Sequence, residues 1–203
     1  MYSTGSPITV SGTTFTKNQA NVDGGAIRSR YGITTVSTGI FIKNQANVDG
    51  GAIYSHEGIT TVSTSTFTQN QVNRYGGAID SYKLIISSST FTKNQGKEGG
   101  AISSYKLTIS KSTFTKNQAT KNGGAIESRG KGNVNSCTFT SNKAMKKGGA
   151  IYLQDEYTNK ITNSKFTKNI EGKQYNAINK DKKAKVTTKN VKITPKNGTK
   201  VKK

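Results

Sequence analysis

Apolar side chains recur at fixed offsets along almost the whole chain. Each of the seven phenylalanines follows a Val or Ile by five residues and precedes an Asn by three: Phe15, Phe41, Phe67, Phe91, Phe114, Phe139 and Phe166. Gly-Gly-Ala-Ile follows the first six, beginning at Gly24, Gly50, Gly76, Gly99, Gly123 and Gly148. The chain is therefore an array of one repeated unit. A degenerate eighth copy contains Val186 and Val191.

The length of the repeat, 23 to 27 residues between phenylalanines, limits the fold class. A period near 25 suits a leucine-rich repeat or one coil of a β-helix. Leu occurs only at positions 84, 107 and 153, which excludes the leucine-rich repeat. The segments between the glycines are rich in Ser, Thr, Val, Ile and Phe, which favour strands. We therefore predict an all-β fold over residues 1–179: a single parallel β-helix (β-solenoid) of about eight rungs, with roughly 25 residues per rung.

The repeated residues have separate structural roles in such a coil. The Val or Ile and the Phe point inward and stack on their equivalents in adjacent rungs, which gives a chain with few apolar residues a continuous core. The Asn after each Phe is predicted to form a stacked amide ladder at a corner. Gly-Gly supplies positive φ or close backbone approach at the next corner.

Residues 180–203 differ from the repeats, since they contain ten Lys and one acidic residue, Asp181. We predict a C-terminal cap that leads into a basic tail. Residues 186–188 and 191–193 would add a final strand pair, and Pro195 would end the ladder. Asn197 begins a glycosylation sequon, which matters only if the chain is exported. An imperfectly capped end would allow end-to-end self-association.

The composition and net charge of the chain limit the classes of binding partner and of chemical site that can be expected. Only 31% of the 203 residues are apolar, and the net charge is +21, which points to anionic partners such as nucleic acid, polysaccharide or a membrane surface. One Cys (Cys137) and one His (His56) exclude an internal disulfide framework and a multi-His metal centre, so no metal or cofactor is expected. No apolar stretch is long enough for membrane insertion. The first residues lack the features of a signal peptide, so either the protein stays inside or its export segment is missing here.

A lysine row is expected on the outside of the coil. The position between Phe-Thr and Asn is Lys in five copies: Lys17, Lys43, Lys93, Lys116 and Lys168. These ammonium groups would stack at about 4.8 Å intervals. The row is either an electrostatic track for an anionic polymer or a solvated lysine face that protects strand edges.

Alternation along the strand after Gly-Gly-Ala-Ile predicts a second, more variable outer strip. The inward position after Ile is Ser in most copies, whereas the outward positions vary: Arg28, Arg30, Tyr54, His56, Asp80, Tyr82, Ser103, Tyr105, Glu127, Arg129, Tyr152 and Gln154. The strip could stack on sugars or bind a protein edge. Neutral variation at outward positions is the alternative interpretation.

Catalysis is not expected from these residues. Asp80 and Glu127 would lie two laps apart, roughly 9.6 Å, at the limit of the 5–9.5 Å range for glycoside hydrolysis. The loops beside them are too short to form a cleft. The Thr-Phe-Thr copies resemble ice-binding arrays, but the adjacent lysine row argues against that function.

The combination of Gly-Gly-Ala-Ile with Phe-x-x-Asn resembles the polymorphic outer membrane protein repeat. Residues 112–128, STFTKNQATKNGGAIES, carry both motifs, and the resemblance covers about residues 8–180. Such repeats occur in chlamydial surface autotransporters and in adhesin-like surface proteins of methanogenic archaea. The resemblance implies a right-handed parallel β-helix, an extracellular or cell-surface location, an adhesin-like role and no enzymatic activity.

The leading functional hypothesis is a non-enzymatic, adhesin-like cell-surface protein. It would bind an anionic polysaccharide, a glycan or the surface of a host or neighbouring cell through its outward-facing ladders. The alternative is an intracellular basic protein that binds polyanions or nucleic acid without sequence specificity. A polysaccharide lyase or hydrolase and an ice-binding solenoid are less favoured.

Overall fold

The structure, a computed structural model, describes residues 1–194, which form 28 strands, and no helix in this part of the chain could cross a membrane. The first two and a half repeats contain β1 (Tyr2–Ser3), β2 (Ile8–Ser11), β3 (Thr14–Thr16), β4 (Gln19–Ala20), β5 (Ile27–Arg30), β6 (Ile33–Ser37), β7 (Ile40–Ile42), β8 (Gln45–Ala46), β9 (Ile53–Ser63), β10 (Thr66–Thr68) and β11 (Gln71–Val72). The central repeats contain β12 (Ile79–Ser87), β13 (Thr90–Thr92), β14 (Gln95–Glu98), β15 (Ile102–Ser110), β16 (Thr113–Thr115), β17 (Gln118–Asn122) and β18 (Ile126–Asn135). The last repeats contain β19 (Thr138–Thr140), β20 (Lys143–Ala144), β21 (Ile151–Leu153), β22 (Thr158–Thr162), β23 (Lys165–Thr167), β24 (Ile170–Glu171), β25 (Gln174–Tyr175), β26 (Ile178–Lys180), β27 (Lys185–Lys189) and β28 (Lys192–Thr194).

These strands form three sheets that run along the axis of one coil. Sheet A has 12 strands, namely β1, β2, β5, β6, β9, β12, β15, β18, β21, β22, β26 and β27. Sheet B has eight, namely β3, β7, β10, β13, β16, β19, β23 and β28, and the remaining eight form sheet C. Pairing is parallel except between β24 and β25. The predicted all-β solenoid is confirmed, and the eight stacked strands of sheet B match the predicted number of rungs.

The interior is built of columns in which equivalent residues meet. In sheet B the first six Phe residues each pair with the Phe of the next rung, with ring centroids 4.7–4.9 Å apart and nearly parallel planes, and Phe166 pairs with Ile193. Six of the seven rings are fully buried, whereas Phe15 at the end of the column is only partly buried. The inward Ser column, including Ser55 and Ser81, is also buried.

The predicted asparagine ladder forms the corner between sheets B and C. The side-chain Oδ1 of Asn94 accepts hydrogen bonds from both the backbone N–H and the Nδ2 of Asn70, at 2.9 and 3.0 Å. The Nδ2 of Asn94 donates in turn to the Phe67 carbonyl and to Asn117 Oδ1. Each amide is thus satisfied by its neighbours, so buried polar groups cost little here.

The Gly-Gly corner needs both properties that glycine offers. Gly76 has φ of +65°, in the left-handed region. Gly77 lies so close to the next rung that a Cβ would be 2.0 Å from the carbonyl oxygen of Gly100. A side chain at either position would therefore strain or separate the rungs.

The start of the C-terminal segment continues the coil. Strands β27 and β28 pair in parallel with β22 and β23, as predicted for the final strand pair. The expectations for Pro195 and for the sequon at Asn197 lie outside the described residues.

We expect Phe91→Ala to lower the free energy of unfolding by about 3–5 kcal/mol, because it opens a cavity in the middle of the phenylalanine column. Equilibrium denaturation by urea measures this loss. Phe15→Ala is the matched control, since Phe15 stacks on one ring only and is partly exposed. A loss below about 1 kcal/mol for Phe91→Ala, or equal losses in the two variants, would contradict the buried column.

Candidate functional site

The predicted lysine row lies at the corner that precedes the asparagine ladder. Its residues adopt left-handed φ values of 53–57° in all seven copies: Lys17, Lys43, Gln69, Lys93, Lys116, Ser141 and Lys168. The backbone N–H of this residue is held by the next rung, for example from Lys43 to the Thr68 carbonyl at 3.0 Å. The stacked backbone thereby fixes a conformation that residues other than glycine rarely adopt.

A groove runs between this row and a second outward row in sheet C. The Asn that separates the two rows points inward, so the residue on each side of it points outward. The second row is Gln19, Gln45, Gln71, Gln95 and Gln118, followed by Lys143. The groove has a volume of about 570 Å³. The sequence pattern indicated the lysines, but not the glutamines that form the opposite wall.

The groove is positively charged and has no acidic or aromatic lining residue. Lys43, Lys93 and Lys116 line it, while the five predicted lysines take part in none of the ion pairs within residues 1–194. Stacked ammonium groups and carboxamides can bind anions and hydroxyl groups along an extended polymer.

The predicted variable strip is divided by burial into two columns. The first outward position after Ile is largely covered, and Asp80, Glu127 and Tyr152 are 5%, 0% and 3% exposed. Arg28 and Tyr54 in the same column are half-buried. The prediction that these residues form an exposed surface is therefore wrong for Asp80, Ser103, Glu127 and Tyr152.

The physical reason is the tight Gly-Gly corner, which folds the preceding residue onto the start of the sheet A strand. The covering residues form a column of their own, in which β-bridges join Asp49, Tyr75, Glu98, Asn122 and Lys147, and Asp23 is the equivalent residue of the first copy. Asp23 pairs with Arg28 at 3.4 Å, and Lys147 donates to the Tyr152 hydroxyl at 3.3 Å. The alternation of inward and outward side chains along a strand does not predict this second layer of residues.

Charges inside this two-layer corner are paired across rungs. Arg74 binds both carboxylate oxygens of Asp49, at 3.0 and 2.5 Å. Arg129 donates to Asp80 at 2.6 Å, and the guanidinium carbons of Arg74 and Arg129 lie 4.9 and 4.7 Å from the centroid of the Tyr75 ring. Burial raises the pKa of Asp80 to about 7, although Arg129 opposes the rise. The pairing thus offsets only part of the desolvation of Asp80.

Glu98 and Glu127 form a carboxyl pair in the same corner. The pKa of Glu127 is raised to about 9, mainly because the side chain is buried. The hydrogen bond to Glu98 and the negative charge of Glu98 raise it further. Burial alone would raise the pKa of Glu98, but the hydrogen bonds from Glu127 and Lys121 lower it. Gln154 Nε2 donates a hydrogen bond to Glu127 Oε1 at 2.8 Å, and the Ser103 hydroxyl donates one to Glu127 Oε2 at 3.3 Å. At neutral pH the pair therefore shares one proton, which Glu127 carries.

The second outward position of the strip remains at the surface. Tyr82 is 41% exposed and stacks on the half-buried Tyr105, with centroids 5.3 Å apart. His56 is exposed, and its Nδ1 lies 3.2 Å from the Tyr54 hydroxyl. Arg30 is half-buried, and Arg129 folds back toward Asp80. In this column the aromatic side chains of the middle copies lie at the surface, whereas the arginines at either side are half-buried.

The described residues contain no cluster of three or more His, Cys, Asp or Glu side chains that could hold a metal ion. Burial raises the pKa of the Cys137 thiol to about 11, so the thiolate is scarce at neutral pH. Asp80 and Glu127 are enclosed and hydrogen-bonded. The groove is lined mainly by lysine and glutamine, and the second outward column of sheet A carries exposed or half-buried tyrosine; these side chains can form ion pairs and hydrogen bonds.

We expect Glu127→Gln to flatten the dependence of stability on pH between 7 and 9. The folded pKa of about 9 exceeds the ordinary value of 4.5, so folding takes up a proton in this window and stability falls as pH rises. The slope for one proton is at most about 1.4 kcal/mol per pH unit. The amide does not ionise, so urea denaturation across this range should show a smaller loss for the variant.

Glu57→Gln is the matched control for this experiment, because the Glu57 side chain is 60% exposed. It should retain the slope of the unmodified protein. Equal slopes in the unmodified protein and Glu127→Gln would show that Glu127 is ionised in the folded state.

No curated protein and no solved structure matches this chain. The Chlamydia polymorphic membrane protein (Chlamydia_PMP) repeat matches residues 12–30, 38–56, 64–82, 88–105, 111–129 and 136–154, which together cover more than half of the sequence. Each match runs from the start of one Phe-x-x-Asn strand through the following Gly-Gly corner and into sheet A. The motifs of this family are thus the residues that form the phenylalanine column, the asparagine ladder and the glycine corner, and the chain belongs to the Chlamydia polymorphic membrane protein repeat family.

Proposed function

We propose that this protein is a non-enzymatic, adhesin-like surface protein that binds anionic polysaccharide along the groove between the lysine and glutamine rows. The family to which it belongs is one of surface and outer-membrane proteins without enzymatic activity. The observation that carries the proposal is the alignment of lysines on successive rungs of a groove without acidic residues. Such a row suits a long, repeating anion.

The spacing of the row supports an extended polymer as ligand. Neighbouring rungs are about 4.8 Å apart, close to the length of one sugar residue in an extended chain. Gln69 and Ser141 interrupt the lysines, and Lys143 supplies a charge on the opposite wall beside Ser141. Charge therefore continues along the groove, while the carboxamides are positioned to bond hydroxyl groups.

Polysaccharide is favoured over single-stranded nucleic acid because the groove has no aromatic lining. Proteins that bind single strands combine a basic groove with aromatic side chains on which bases stack. Amides without aromatic rings suit the hydroxyl-rich backbone of a glycan instead.

The proposal includes the absence of catalysis. Its basis is that Asp80 and Glu127, the two carboxyl groups considered as a catalytic pair, are both engaged inside the corner. Asp80 forms an ion pair with Arg129, and Glu127 shares its proton with Glu98 inside the corner. Neither faces a cleft in which a glycosidic bond could be placed. A hydrolase would need at least one of them to be exposed to its substrate.

We expect a quintuple variant, in which Lys17, Lys43, Lys93, Lys116 and Lys168 are each changed to Gln, to bind heparin and polygalacturonate more weakly. The slope of log K against log salt concentration should fall in magnitude by about 2–4, because each lost cation contact contributes about 0.7–0.9 and between three and five contacts are lost. Titration followed by fluorescence anisotropy at several salt concentrations measures both quantities.

The control changes five exposed lysines outside the groove to Gln: Lys97, Lys111, Lys160, Lys165 and Lys173. It removes the same charge and should leave most of the slope intact. Equal losses in the two variants would mean that net charge, and not the groove, determines binding. Tighter binding of single-stranded DNA than of either polysaccharide would favour the nucleic-acid alternative.

A further inference from the structure

Three lysines lie side by side on the outer face of sheet A, remote from the groove. Lys83 pairs with Lys106 across β12 and β15, and Lys106 pairs with Lys131 across β15 and β18. Like charges on neighbouring strands repel each other. None of the three is in an ion pair within residues 1–194. This part of the sheet thus concentrates positive charge, and no carboxylate of residues 1–194 is in ion-pair contact with it.

A tyrosine pair forms one side of a hollow beside these lysines. Tyr157, which follows β21 in a loop, reaches back two rungs, and its hydroxyl contacts that of Tyr105. Their ring centroids are 5.7 Å apart. Gly130 makes this possible, since a Cβ there would lie only 3.1 Å from the Tyr105 ring. The hollow has a volume of about 320 Å³, near the lower end of the range of about 300–1,000 Å³ for ligand sites.

The next outward column of the sheet completes the hollow. Ile85 pairs with Thr108, and Thr108 pairs with Asn133. An apolar side chain, a hydroxyl and a carboxamide therefore lie in one row, one outward position beyond the lysines. No residue that lines the hollow is acidic.

We propose that this hollow binds an acidic sugar: a pyranose that carries a carboxylate or sulfate group, in a short oligosaccharide or at the end of a glycan. The lysine column binds the anion. Thr108, Asn133 and the tyrosine hydroxyls bond the sugar hydroxyls, and Ile85 contacts the apolar face of the ring.

The arrangement of the tyrosines favours a sugar over a nucleotide. The ring of Tyr105 stacks on Tyr82 on one rung and is packed against Gly130 on the next. Its hydroxyl and edge, rather than an open face, are thus presented to the hollow. Base stacking requires an open aromatic face, whereas hydrogen bonding to sugar hydroxyls does not.

This site is independent of the proposed function, because it lies on sheet A and the groove lies between sheets B and C. Either site could bind its ligand if the other did not. Because both sites are proposed to bind acidic sugars, the hollow is tested in a chain whose groove lysines have been changed.

Titration calorimetry of the full chain with trigalacturonate tests the proposal, with the neutral methyl ester of the same trisaccharide and a sulfated disaccharide as further probes. We expect trigalacturonate to bind and its methyl ester not to bind. The variant K83Q/K106Q/K131Q should weaken binding by about tenfold or more. The titrations are made in the groove variant K43Q/K93Q/K116Q, so that any binding that remains lies outside the groove. In that background K97Q/K165Q/K173Q removes the same charge outside both sites and should change binding by less than about twofold. Thr108→Val should weaken binding without changing the charge.

Several results would overturn the proposal. These are no binding of either anionic sugar, equal binding of the methyl ester, equal losses from K83Q/K106Q/K131Q and K97Q/K165Q/K173Q, or tighter binding of uridine monophosphate with the same dependence on the three lysines. Binding of the sulfated disaccharide in preference to trigalacturonate would support the site and identify sulfate as the anion. Because Gln removes like-charge repulsion from the sheet, the triple variant is expected to fold, which circular dichroism checks.

Discussion

Stacking of equivalent residues in register, from one rung to the next, is the interaction on which this structure depends. The phenylalanine rings stack face to face, and each asparagine within the ladder, such as Asn94, accepts hydrogen bonds from one neighbouring rung and donates one to the other. A chain in which only 31% of residues are apolar can therefore fold around a narrow core. Each rung completes the burial and hydrogen bonding of the rung before it, so stability arises from neighbouring pairs along the axis.

The same repetition determines what the surface can do. Any outward residue that recurs in each copy becomes a row with a spacing of about 4.8 Å, whether or not its neighbours attract one another. At the Gly-Gly corner the charges are enclosed and paired, as between Arg74 and Asp49. In the groove and beside Tyr157 the lysines are stacked without carboxylates. The first arrangement stabilises the fold, whereas the second suits anionic ligands.

Much of the fold follows from the sequence, because the inward columns, the asparagine ladder and the glycine corner are each tied to a residue type at a fixed offset. The buried state of Asp80 and Glu127 does not follow, since it depends on how far the corner folds back over the strand. Nothing in the repeats that contain Glu98 and Asn122 indicates that these residues cover the start of the sheet A strand. The contact between Tyr157 and Tyr105 also cannot be predicted from the repeat, because Tyr157 lies in a loop and reaches across two rungs. The lysine row could be predicted from the sequence. The glutamine row that forms the opposite wall of the groove could be recognised only from the geometry of the corner.

Distances between spin labels along the lysine row test the coaxial stacking most directly. Cysteines would replace Lys17 and Lys116, or Lys17 and Lys168, in a chain whose Cys137 is changed to Ser. Stacking in register predicts separations of four and six rungs, about 19 and 29 Å before the length of the labels is added. Broad distributions centred near 50–60 Å for the first pair, roughly the value for a flexible chain of that length, would contradict the stacked coil.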